Sequence, residues 1–130
     1  MEKTICLTKT VLESILNYSK YLHPKEGILL LRGKNLKEKL VVNEVVIPPQ
    51  AIHGEGFSTF PVFMLPFDPS IVGSAHSHPS GILKPSIQDL NHFYGKIMVI
   101  VGYPYMSERN IAVFNRKGQT LKHEIIPDED

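Results

Sequence analysis

One cysteine and no tryptophan occur in the 130 residues of the chain. The lone thiol, Cys6, has no internal partner, so the chain is not a disulfide framework, and every zinc site built on several cysteines is excluded. Apolar runs reach only about four to six residues, far short of the ~20 that span a bilayer. The opening Met1-Glu2-Lys3-Thr4-Ile5 has neither the apolar stretch nor the small-residue cleavage site of a secretory leader. Charge of one sign is not in excess either. Fourteen Lys and Arg stand against 13 Asp and Glu, a net charge of +1, which argues against a domain whose main task is to grip phosphate backbones. These absences lead us to expect a reduced, cytoplasmic protein, with no membrane partner and nucleic acid not favoured.

What is present is the balance of a globular domain, with 42% hydrophobic and 21% charged residues. The length is that of one domain, 1–130, with 126–130 expected as a frayed tail. Thr8 or Thr10 is placed to cap a helix carrying Val11, Leu12, Ile15, Leu16, Ser19 and Leu22 at helical spacing. His23-Pro24 should end it, since the residue before proline avoids the helical region. Gly27 to Arg32 reads as a buried strand that stops at Gly33, and Leu40 to Ile47 as a second strand that stops at Pro48-Pro49. Residues 50–56 read as a loop, and Phe57 to Phe63 as a strand broken by Pro61. Ile71 to Ser77 is a further strand, followed by a loop and a short helix from Ser86 to near Gly95. Lys96 to Gly102 is a strongly apolar strand, and Arg109 to Asn115 with Gln119 to Ile126 read as a hairpin. The pattern is a mixed α/β domain dominated by strands, with two helices.

The chemistry is concentrated in Ala75-His76-Ser77-His78-Pro79-Ser80-Gly81, continuing to Ser86-Ile87-Gln88-Asp89. Alternate residues of a strand project to one face, so His76 and His78 at a strand end can point at one spot. Asp89 lies one turn into the next helix. Two imidazoles and a carboxylate make three ligands and leave a fourth tetrahedral position for water, which is the layout of a catalytic rather than a structural zinc. Ser86 with Asp89 is also a good helix start, a serine cap with an acid in the first turn. The two readings are compatible, because a helix N-terminus favours the ionised carboxylate that a metal needs. The remaining histidines, His23, His53, His92 and His123, read as solvated, with His92 near enough to reach the site's edge. Cys6 reads as a small buried hydrophobe, and Phe57, Phe60, Phe63 and Phe67 as core.

The segment resembles the JAMM (MPN+, or JAB) zinc metalloprotease motif, a glutamate followed at a distance by HxHx7SxxD. It is similar to the stand-alone prokaryotic and archaeal type. His78-Pro79-Ser80-Gly81 with Pro85-Ser86 also resembles the RadC branch of that superfamily. The glutamate of the motif falls on Glu26, just before the first buried strand. Gly33 matches the second of two glycines usual after it, and Leu29 departs from the first. The resemblance implies an α/β fold, a single MPN (cytidine-deaminase-like) domain with a mixed curved β-sheet flanked by helices. It implies one Zn2+ held by His76, His78 and Asp89, with Glu26 as general base and Ser86 as hydrogen-bond donor to the developing oxyanion. It also implies hydrolysis after the C-terminal Gly-Gly of a ubiquitin-like modifier or sulfur-carrier protein, so that a ubiquitin-like protein or its conjugate is the substrate partner. Phe57 to Ser77 shows no helical period where many members carry a helix, and the chain is too short for the insertions that grip ubiquitin chains. Two other readings stand beside this one: a RadC-like domain linked to DNA metabolism, and a non-catalytic MPN scaffold.

Overall fold

The computed structural model describes residues 3–48 and 68–128, and the backbone alone at 52–54 and 57–59. Its described strands are β1 (Thr4–Thr8), β2 (Ile28–Asn35), β3 (Lys39–Val46), β4 (Ile52–Gly54), β5 (Phe57–Thr59), β6 (Ile71–His78), β7 (Ile97–Gly102), β8 (Ile111–Phe114), β9 (Thr120–Leu121) and β10 (His123–Ile126). The helices are α1 (Lys9–Leu22) and α2 (Ile87–Asn91), with a 3-10 turn at Glu108–Asn110. β4 and β5 pair antiparallel with each other. The other eight strands form one sheet in the order β10-β1-β3-β2-β6-β7-β8-β9. It is mixed: β1 runs parallel to both β3 and β10, and β6 parallel to β7, while the remaining pairs are antiparallel. Only Lys122 separates β9 at one margin from β10 at the other, and its carbonyl accepts from Ile5 N–H at 3.0 Å. Residues 120–126 therefore join both margins, and the curved sheet nearly closes.

α1 forms because Val11, Ile15 and Leu16 recur on one side of it and are buried against the sheet. Thr8 caps it, its side chain accepting from Val11 N–H at 3.2 Å, and His23 ends it ahead of Pro24. Its apolar stripe meets Ile5, Leu7, Leu31, Val42, Val99 and Val113 in the main core. Each such side chain, fully buried, contributes roughly 1.5–3 kcal/mol. The opposite face of β7 and β8 carries Met98, Ile100 and Phe114, which pack with Phe93, Leu83 and Leu90. That second cluster seats α2 and the loop before it beside β6.

Several expectations need correction. Residues 4–8 form β1, a strand inserted between β3 and β10. β2 does not stop at Gly33: the register shifts there as a bulge, and a Cβ on Gly33 would lie 1.8 Å from the Val41 carbonyl oxygen. The glycine allows a close crossing rather than ending the strand. Residues 52–54, expected as loop, pair as β4. α2 ends at Asn91 rather than near Gly95. The 119–126 arm leaves its hairpin at Lys122, so that only β9 pairs with β8. The tail expected over 126–130 begins inside β10, and Asp128 accepts from Thr10 N–H at 3.1 Å and Thr10 Oγ1–H at 2.6 Å. The aromatic residues Phe57, Phe60, Phe63 and Phe67 as core, His53, the break at Pro61 and the missing intermediate helix lie outside the described residues or side chains. Cys6 is buried as expected. Among the described residues no helix is long and apolar enough to cross a membrane.

Candidate metal centre

β6 is held between β2 and β7, with His76 opposite Ile28 on one side and Ile100 on the other. His76 and His78 leave the strand on one face, and Ser77 on the other. Four of the five residues singled out for the site are buried: His76 is 3% exposed, Asp89 7%, and His78 and Glu26 8% each, while Ser86, at the start of α2, is exposed. Charged groups this enclosed are rare unless they meet one another, and these do. Asp89 Oδ2 lies 3.0 Å from His78 Nε2, and Asp89 Oδ1 lies 3.5 Å from His76 Nδ1. Glu26, reaching in from the turn before β2, places Oε1 4.0 Å from His78 Nε2.

The surrounding groups set the orientation of each side chain. His78 Nδ1–H donates to the Ile82 carbonyl at 2.9 Å, which leaves Nε2 as the nitrogen facing the carboxylates. His76 Nε2 shares a 3.0 Å hydrogen bond with Ser74 Oγ, and its Nδ1 is buried with no hydrogen-bond partner among the described residues. Asp89 sits in a capping box: its N–H donates to Ser86 Oγ at 3.0 Å, and Ser86 N–H donates to Asp89 Oδ2 at 2.8 Å. Asp89 thus takes part in the cap of α2 and is at the same time the candidate ligand, as the sequence allowed.

Electrostatics follow from these contacts. Burial works against ionising Asp89, but the His78 and Ser86 hydrogen bonds and the nearby imidazoles prevail, and its pKa falls to about 2. Burial lowers the pKa of His76 to about 4, against the pull of Asp89. For His78 burial is outweighed by Asp89, the Ile82 carbonyl and Glu26, and its pKa rises. Burial raises the pKa of Glu26, partly offset by His78, with the charge of Asp89 adding to the rise. The arrangement therefore keeps one carboxylate firmly ionised, one imidazole neutral, and a second carboxyl of raised basicity at the edge.

Among the described residues no metal cage is already formed; His78 and Asp89 bond to each other instead. The donor set nevertheless fits zinc, for which two imidazole nitrogens and a carboxylate are ordinary ligands. The orphaned Nδ1 of His76, facing Asp89, is a buried donor atom that such an ion would satisfy. Glu26, His78 and Ser86 open on a cleft of about 450 Å³, also lined by Pro79, Ser80, Ile82, Lys84 and Pro85. A wider groove of about 700 Å³ over β1, β3 and β10 holds none of the five site residues.

A family model of prokaryotic homologues of the JAB domain matches residues 8–116. The chain belongs to this JAB family. A "probable metalloprotease" of Haloferax volcanii is 34% identical to this JAB-domain protein over 131 residues, covering 95% of this chain and 81% of that one. A solved structure described as "JAMM: A Metalloprotease-like Zinc Site in the Proteasome and Signalosome" is 30% identical, with a TM-score of 0.67 over 97% of this chain and 99% of its own. A JAB1/MPN domain protein from Archaeoglobus fulgidus is also 30% identical, with a TM-score of 0.68, covering 95% of this chain and 98% of that one. A protein from Desulfitobacterium hafniense, 16% identical with a TM-score of 0.64 over 98% of this chain and 96% of its own, shares the fold. The JAMM-type, metalloprotease-like family and its curved mixed sheet are thus as the motif implied.

Sequence reasoning missed Ser74 beside His76 and Ser77 beneath the pair. It also read His23 and His123 as solvated. His23 is exposed, yet its ring stacks on Tyr103 and bonds Tyr105. His123 Nε2 lies 3.3 Å from Glu108 Oε2. His92 is exposed and bonds the Gln88 carbonyl at 2.9 Å; its charge contributes to the lowering of the His76 pKa, which places it at the site's edge.

Proposed function

We propose that this JAB-domain protein is a zinc-dependent isopeptidase or peptidase that hydrolyses the bond after the C-terminal Gly-Gly of a ubiquitin-like modifier or sulfur-carrier protein. The observation that carries the reading is the meeting of His76, His78 and Asp89, with Glu26 at their edge. The family's metalloprotease-like relatives support it. His76, His78 and Asp89 would hold one Zn2+, which when bound supplies the Lewis acidity that acidifies water and polarises a carbonyl.

The chain's own groups do the rest. The Ile82 carbonyl and Ser74 hydroxyl fix the two imidazoles, and Ser86 N–H keeps Asp89 ionised. Glu26, its basicity raised by burial, takes the proton of the attacking water and returns it to the leaving amine. Ser86 Oγ accepts from Asp89 N–H, so its own O–H is left to donate to the charge that develops on the scissile carbonyl oxygen. The cleft lined by Pro79, Ile82 and Pro85 is largely apolar, which suits a tail without charged side chains.

The test is calorimetric zinc titration of chelator-stripped protein beside hydrolysis of a Gly-Gly-tailed ubiquitin-like conjugate. Wild type binds one zinc and Asp89→Ala does not. Glu26→Gln retains zinc and loses about 10²- to 10⁴-fold in turnover, the range for a general base. A folded wild type that binds no zinc, or a Glu26→Gln variant with undiminished turnover, refutes the mechanism. Equal cleavage of tails ending in Ala-Ala refutes the substrate class.

A further inference from the structure

The short turn that carries Glu26 is held at both ends. On the β6 side, Gly27 N–H donates to Ser77 Oγ at 2.7 Å, and Ser77 N–H donates to the Gly27 carbonyl at 3.0 Å. On the other side stands His23, the C-cap of α1. Its ring stacks on Tyr103 with centroids 4.7 Å apart, and its Nδ1 shares a 2.9 Å hydrogen bond with Tyr105 Oη.

Tyr105 is an unusual residue for its place. It is 1% exposed, among the largest fully buried side chains, and its φ is +58°. A bulky L residue rarely adopts that left-handed conformation. Such strain persists where the surroundings fix it, and it gathers at functional sites. Here the conformation sends the ring edge-on against both His23 and Tyr103. Burial raises the pKa of the Tyr105 phenol, and the charge of Glu26 raises it further, so phenol and carboxylate are within electrostatic reach. Neither Tyr105 nor His23 lines the cleft, and the proposed mechanism uses neither.

We propose that Tyr105 is a positioning residue for Glu26: its hydroxyl, through His23, fixes the turn between α1 and β2 so that the Glu26 carboxylate stays beside His78. The proposal rests on Glu26 being the general base. Only Pro24 and Lys25 separate His23 from Glu26 along the chain, and Pro24, with its fixed φ, stiffens the link. A displacement of about 1 Å in a reacting group costs on the order of 10²-fold in rate.

The experiment compares wild type, Tyr105→Phe, Glu26→Gln and the double variant, using a Gly-Gly-tailed ubiquitin-like domain joined to a lysine-containing reporter peptide. Tyr105→Phe keeps the ring and removes one oxygen. We expect kcat to fall roughly 10- to 100-fold, with KM and zinc affinity within about twofold of wild type and faster amide hydrogen exchange over 24–30. In the Glu26→Gln background the same change costs nothing more, because the two residues act as one unit. His23→Ala, at an exposed position, breaks the same bond from its other side and reproduces the effect if Tyr105→Phe folds poorly. Wild-type kcat in Tyr105→Phe beside an inactive Glu26→Gln overturns the positioning role alone. So does an equal further loss in the double variant, or a parallel fall in zinc affinity. Undiminished turnover in Glu26→Gln overturns the base assignment, and the positioning role with it.

Discussion

Replacing Asp89 by asparagine removes one charge and almost no volume, so it isolates what the carboxylate contributes to the metal-free protein. In the fold that carboxylate accepts from Ser86 N–H at 2.8 Å and lies 3.0 Å from His78 Nε2. Burial opposes its ionisation; these partners overcome the opposition and carry its pKa from 3.8 to about 2. At ~1.4 kcal/mol per pH unit that difference amounts to roughly 2–3 kcal/mol at neutral pH. The raised pKa of His78 is the other half of the same interaction and is not added to it. The folded pKa is depressed, so the stabilisation is complete above the ordinary carboxyl value near 4 and is lost as pH falls through about 2. Chelator-treated Asp89→Asn should therefore unfold in urea with a free energy lower by roughly 2–3 kcal/mol at pH 7, and the gap should close progressively below pH 4. Added zinc should widen it, by about 2.7 kcal/mol at a hundredfold excess over Kd, because only wild type binds. A gap independent of pH, or none at pH 7, refutes the claim that the fold holds this carboxylate in its ionised form.

Gly27→Ala should cost about 1–3 kcal/mol in chemical denaturation. Its Cβ would lie 2.5 Å from Leu22 Cδ1, which can swing away, and 3.1 Å from the Tyr18 ring, which has less room; a variant more stable than wild type contradicts this. Asp128→Asn should lower the melting temperature at pH 7, because α1 has no acid in its first turn and Asp128 supplies one from outside it. The hydrogen bonds from Thr10 hold the Asp128 carboxyl below 3.8. Its contribution is therefore present above the ordinary carboxyl pKa and lost as pH falls through the depressed one, and the two melting curves should merge in acid.

The elements legible in the sequence are those whose signal is local. α1 announced itself through Val11, Ile15 and Leu16 at helical spacing and through a cap and a proline at its ends. β7 announced itself as an unbroken apolar run, all six residues of which are buried. The HxHx7SxxD spacing placed the histidines and Asp89 within reach of one another, because a strand end, a loop and a helix start have few ways to be joined. Three kinds of feature were hidden. β1 is five residues running directly into a helix, with no turn between them to mark a boundary. Gly33 punctuates like a strand end, and only the neighbouring backbone of Val41 shows it to be a crossing. The roles of Ser74, Ser77, His23 and Tyr105 depend on partners brought in by the fold, Tyr105 lying 82 positions from His23. No spacing rule links such pairs.

The linking of both sheet margins through residues 120–126 has a consequence for how the molecule is made. β1 pairs with β10, and Thr10 is hydrogen-bonded to a residue 118 positions later. The sheet is therefore completed by contacts of very large sequence separation, the class that folds slowly, in milliseconds to seconds rather than microseconds. During translation β1 stays open on one side until residues 123–126 have cleared the ribosome. A nascent chain halted before that point would present an unpaired strand edge, the feature most prone to pairing with another chain. The candidate site is exempt from that delay in one respect. His76, His78 and Asp89 lie within 14 consecutive residues, so its ligand set leaves the ribosome together, well before the sheet around it can close.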